Sequence, residues 1–149
     1  MRTRAPIADG IYLVGGGALF ASAFVHWVTR GPGSASIGHK LIDEIIALGK
    51  HVPELSAARL TVFWYLLPAL GAIGWIVVGF RGTNSWWARG VGIAAFACAF
   101  LVVLAFQQLV TIHRFSWGPW LALGGGVLML TSSLVTLVGR EVSVGAADI

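Results

Sequence analysis

Long apolar runs separated by short clusters of charge set the rhythm of this chain. None of Asp, Glu, Lys or Arg occurs between Asp9 and Arg30, between Arg59 and Arg81, between Arg89 and Arg114, or between Arg114 and Arg140. Each gap is about 20 to 25 residues, the length an α-helix rising about 1.5 Å per residue needs to cross a hydrocarbon core roughly 30 Å thick. The pattern predicts an all-α membrane protein: a single membrane domain over 1–149, with spanning helices near 11–29, 60–80, 89–112 and 118–138.

One stretch breaks the rhythm. In "SIGHKLIDEIIALGKHVPE", Ser36 to Glu54, the residues Leu41, Ile42, Ile45, Ile46 and Leu48 share one face at helical spacing, while Lys40, Asp43, Glu44 and Lys50 share the other. Ser36 is placed to cap a helix, Lys40 and Glu44 to pair across one turn, Gly49 to adopt a left-handed closing conformation and Pro53 to end the segment. An amphipathic helix of about three turns is expected near 37–48. It is too short and too charged to span, so its apolar face is expected to lie against the other helices as an interaction face.

The connections define a topology. The second and third links are a few residues each, which makes neighbouring helices antiparallel in an up-down four-helix arrangement. The first link, Arg30 to Arg59, is long enough to hold the amphipathic helix, and "GPGSAS" at its start is turn-forming. Arg2 and Arg4, and the short loop "RGTNSWWAR" with two arginines and no acid, favour cytoplasmic N and C termini. The raw charge tally, Arg2, Arg4, Arg81, Arg89 and Arg140 against Arg30, Lys40, Lys50, Arg59 and Arg114, is even. An alternative reading takes Arg2, Arg4 and the small residues of "LFASA", Leu19 to Ala23, as a signal peptide. The apolar run continues through Phe24, Val25 and Trp27, which favours an uncleaved anchor.

Helices in lipid gain little from hydrophobic association, so small residues that let backbones approach mark the expected contacts. Gly90, Ala94 and Cys98 form such a row on the third helix and Gly17 with Ala21 on the first. Gly71 with Gly74, Ala69 with Ala72 and the run Gly124 to Gly126 give related patterns. Pro68 is expected to kink the second helix by removing a backbone donor.

Composition agrees with the periodicity. The chain is 57% hydrophobic and 11% charged, with a mean hydropathy of +0.84, far from the charge content of a soluble domain. Its net charge of +4 comes from Lys and Arg scattered singly at helix ends, a distribution that fits membrane topology and not a nucleic-acid surface. The lone Cys98 excludes an internal disulfide framework and is explained as a small packed residue. Trp27, Trp64, Tyr65, Trp117 and Trp120 are expected at one membrane face, with Trp86 and Trp87 at the other, as interfacial belts.

Candidate chemistry is sparse. No GxSxG, phosphate-binding glycine loop or HExxH motif occurs, and the spans contain no ionisable Asp, Glu, Lys or Arg, which argues against a hydrolase, a proton pump or an ion-coupled transporter. All four histidines, His26, His39, His51 and His113, fall on one side of the predicted topology with Asp43, Glu44 and Glu54, a donor set that zinc would use. His26 and His113 lie at similar depth, as axial haem ligands would, and Gln107, Gln108 and Thr111 make the end of the third helix polar enough for a quinone headgroup. Simple interfacial solvation and interhelical hydrogen bonding account for the same residues.

The aromatic end "FVHWV" of the first helix, followed by a Gly/Ser-rich loop, resembles the small, uncharacterised four-helix membrane proteins of actinobacteria. The long first and short second outer loops are also similar to the claudin layout, without its cysteine pair or a Gly-Leu-Trp near Trp27. The resemblance is one of architecture and implies no activity. The expectation is a non-catalytic plasma-membrane accessory or scaffold subunit that packs with partner membrane proteins or with its own copies. The alternatives are a haem, metal or quinone binding protein using His26, Gln107, Gln108 and His113, or a lipid or hydrophobic-substrate carrier.

Overall fold

A computed structural model describes residues 6–31, 34–51 and 63–147, with side chains described through residue 138. Five α-helices follow one another: α1 (Pro6–Ala21), α2 (Gly38–Gly49), α3 (Leu66–Arg81), α4 (Trp86–Leu109) and α5 (Trp117–Ala147). With their 3-10 extensions, four segments are long and apolar enough to cross a membrane: Pro6–Phe24, Phe63–Arg81, Trp86–Leu109 and Trp117–Val138. The described residues contain no strand, only two isolated antiparallel bridges.

The boundaries differ from the expected spans for local reasons. The first helix starts earlier and ends at Ala21 with a 3-10 turn over Ser22–Phe24, so residues 25–29 are extended and not spanning. Their backbone groups bond across the fold instead: the amides of Gly38 and Thr29 donate to the carbonyls of Val25 (2.9 Å) and Arg114 (2.8 Å), and the Ser116 amide donates to that of Trp27 (3.0 Å). The β-branched Val25, Val28 and Thr29 suit that extended path. Residues 60–62 of the second span lie outside the described residues, as do Arg2, Arg4, Pro53, Glu54 and Arg59. Pro68 falls in the first turn of α3, directly after residues 63–65 in 3-10 conformation, near the start of the span and not at its middle. α4 ends at Leu109, three residues before the expected limit, where Val110 turns extended (φ −136°) ahead of Thr111 and Ile112. α5 runs past 138 to Ala147.

At the link between α3 and α4, Gly82 adopts φ +72°, a conformation that favours glycine, and Ser85 caps α4 by accepting from the Ala88 amide at 3.2 Å. The loop is tied to the start of α1. The Asp9 carboxylate accepts from both the amide (2.9 Å) and the hydroxyl of Thr83, whose side chain is fully buried. Nearby, the Tyr12 hydroxyl donates to the Ala88 carbonyl (2.9 Å) and Ser132 to that of Ala8 (2.8 Å).

The helices approach through glycine, though not through the rows expected. A Cβ on Gly15 would lie 2.8 Å from the Gly125 carbonyl oxygen, and one on Gly71 would lie 2.5 Å from that of Gly16. These contacts join α1 to α5 and α1 to α3 at backbone distance. Gly17 and Ala21 lie half-buried to one side of them, with Gly17 against the Trp75 ring. On α4 the expected row is split: Gly90 and Ala94 are exposed, and only Cys98 is buried, its thiol donating to the Phe63 carbonyl at 3.2 Å. The buried stripe of α4 is instead Ala88, Gly92, Ala95, Ala99, Val102 and Phe106. Gly92 meets the Met129 backbone and Ser133 of α5, and Gly126 of α5 meets the Phe96 backbone, so each helix supplies a small residue to the other.

Candidate functional site

The end of the molecule that carries α2 is built around Trp27. Its ring is fully buried, its Nε1 donates to the Ser22 carbonyl (2.7 Å), and it meets Trp64 and Phe106 edge-on at 6.1 and 5.3 Å between ring centroids. Gly38 of α2 and Gly118 of α5 lie against the same indole, where a Cβ on either would collide with it. Trp27 and Trp64 are thus core residues and not members of an interfacial belt. Trp117, Trp120, Trp86, Trp87 and Tyr65 are exposed, as a belt requires.

α2 closes over this core. Leu41 and Ile42 are buried, Ile45 and Ile46 are partly buried against the same cluster, and Leu48 is 58% exposed. The docked face is therefore narrower than the apolar face in the sequence, since Leu48 lies outside it. Gly38 explains the geometry: without a side chain, the first turn rests directly on Trp27 and on the Ala23 carbonyl. Ile37, and not Ser36, occupies the N-cap position, and no side chain caps it. The Ser36 hydroxyl instead donates to the Glu44 carboxylate at 3.0 Å, bracing the polar face. Gly49 remains helical and is followed by Lys50 in a right-handed conformation, so it is not a left-handed cap. The Tyr65 hydroxyl donates to Asp43 and fastens α2 to the start of α3.

The residues singled out for ligand chemistry fall on three parts of the chain's fold. His26, Gln107, Gln108 and His113 are all exposed, His26 in the extended segment, the glutamines in the last turn of α4 and His113 in the 3-10 turn Ile112–Arg114. His39 is half-buried on α2 beside the Phe24 ring, and His51 Nδ1 faces the Ala47 carbonyl at 3.1 Å. Among the described residues no three His, Cys, Asp or Glu side chains group so as to hold a metal ion.

A different feature emerges where two distant segments meet. The bridge between Val28 and Phe115 pairs 26–29 with 114–118 in antiparallel register. Beside it Thr29, Phe115, Ser116, Trp117 and Trp120 line a cleft of about 260 Å³. Phe115 and Trp120 meet edge-on at 6.4 Å, and the Thr29 hydroxyl donates to the Arg114 carbonyl at 3.2 Å. The sequence offered only an aromatic run, "RFSWGPW", as a signal for this cleft; its other wall lies 85 residues away in the chain. Comparison of the chain with protein families, with curated proteins and with solved structures finds no match.

Proposed function

We propose that the protein is a non-catalytic accessory or scaffold subunit of the plasma membrane, a four-span up-down bundle with cytoplasmic termini whose α2 end meets a partner membrane protein. The observation that carries this reading is how α2 is used. Its apolar residues Leu41 and Ile42 are spent on the chain's own core, which leaves Lys40, Asp43, Glu44 and Lys50 exposed on a helix seated at its first turn through Gly38 and tied at its middle through Asp43 to Tyr65. A rigid, mixed-charge helical face favours polar recognition of a partner surface over insertion into lipid. Photo-crosslinking from positions 40 and 44 in native membranes tests it. One discrete adduct, lost on Lys40→Glu/Glu44→Lys exchange, is expected; a chain that stays uncrosslinked and purifies alone and monodisperse refutes the assignment.

A further inference from the structure

The cleft beside the Val28–Phe115 bridge combines features that no single segment possesses. One wall is aromatic: Trp117 and Trp120 are 75% and 53% exposed, and Phe115 lines the same space. Thr29 and Ser116 line it as well. The two segments that form it, 25–31 and 111–120, carry Arg30, Arg114, His26 and His113 and no Asp or Glu. Arg30 and Arg114 are both exposed, and the Arg114 guanidinium lies over Gly31, 3.2 Å from where a Cβ there would stand. The pairing of the Thr29 amide and hydroxyl with the Arg114 carbonyl fixes these two basic residues on adjacent segments.

We infer that this cleft binds the headgroup of an anionic phospholipid. The volume suits a glycerophosphate and not a whole lipid, so the acyl chains stay in the bilayer beside Trp117 and Trp120. Indole rings prefer the level of the headgroups, which sets the cleft at the depth where lipid phosphates lie. Arg30 and Arg114 supply charge-assisted donors to the phosphate oxygens, and the Ser116 hydroxyl stands at the positive end of α5. Aromatic walls with two exposed arginines next in sequence to the lining residues Thr29 and Phe115 complement an amphiphile of negative charge better than they complement a free anion. The inference requires the membrane setting proposed above but not the partner at α2, so either can fail without the other.

The test uses the purified full chain in a neutral detergent, titrated separately with short-chain phosphatidylglycerol, short-chain phosphatidylcholine and inorganic phosphate, with bound molecules counted by native mass spectrometry. One tight phosphatidylglycerol per chain is expected, bound about tenfold more tightly than phosphatidylcholine, from basic side chains acting at a lipid surface. Arg30→Gln/Arg114→Gln should weaken it about tenfold, and Trp117→Ala/Trp120→Ala should weaken both lipids. Lys40→Gln/Lys50→Gln, which removes the same charge from α2, should leave binding unchanged. Equal affinity for the two lipids, or an equal loss in the α2 variant, overturns the site. Inorganic phosphate binding as tightly as phosphatidylglycerol shows a free-anion site and overturns the lipid assignment.

Discussion

At the scale of single residues, glycines carry the closest contacts and differ sharply in what they tolerate. Gly71 faces backbone atoms, the Gly16 carbonyl and the Phe20 amide, neither of which can turn away as a side chain would. Gly90, by contrast, has nothing within 4 Å of its missing Cβ. Gly71→Ala should therefore push α1 and α3 apart at a cost of about 1–3 kcal/mol and lower the thermal unfolding midpoint in detergent by several degrees. Gly90→Ala should leave the midpoint unchanged or raise it, since alanine favours an exposed helix by about 0.5–1 kcal/mol over glycine. Equal effects of the two substitutions would show that the helices do not meet where the glycines place them. Both residues look alike in the sequence. A helix turns about 100° per residue, so small residues four apart define several candidate faces, and only the neighbouring helix selects one.

At the scale of elements, α2 shows how far amphipathicity reads through. Its position, 38–49, lies within a residue of the expectation, because alternation of Leu and Ile with Lys, Asp and Glu fixes helical phase locally. The end signals did not read through: Ser36 bonds to a side chain and Gly49 stays helical, since tertiary contacts to Trp27 and Tyr65 hold the helix without its caps. Ile42 is fully buried, and its burial is worth roughly 1.5–3 kcal/mol before any cost of burying charge. Ile42→Asp should open α2 and speed tryptic cleavage after Lys40 and Lys50 at least about tenfold, the change expected for a local opening eased by roughly 1.4 kcal/mol or more. Leu48→Asp, at an exposed position, should leave the cleavage rate near that of the parent protein. Cleavage unchanged by Ile42→Asp would mean that the helix is not docked.

For the whole molecule, the four apolar segments and the two exposed tryptophan groups make a geometric claim. Trp86 opens α4 and Trp117 opens α5 beyond its far end, and the 24 residues of α4 extend about 36 Å at 1.5 Å per residue. If the helices span, Trp86→Cys and Trp117→Cys should react with a membrane-impermeant maleimide from opposite sides of sealed vesicles. Native Cys98, 8% exposed, should stay silent. Labelling of both from one side would refute the four-span topology. The four long apolar helices are the part of this protein its sequence determined alone: in charge-free runs of about 20 or more residues, helix is the state that bonds every backbone group within its own segment. The amphipathic helix followed from the same local logic of phase. What the tertiary structure decided was everything that needs two distant segments at once. Trp27 and Trp64 went to the core because Gly38 and Gly118 leave room for the Trp27 indole, and residues 25–29 left the helix because 114–118 and Gly38 offered their backbone bonds. The aromatic cleft exists only where those segments pair, since Thr29 and Trp117 are neighbours through the bridge and not through the chain.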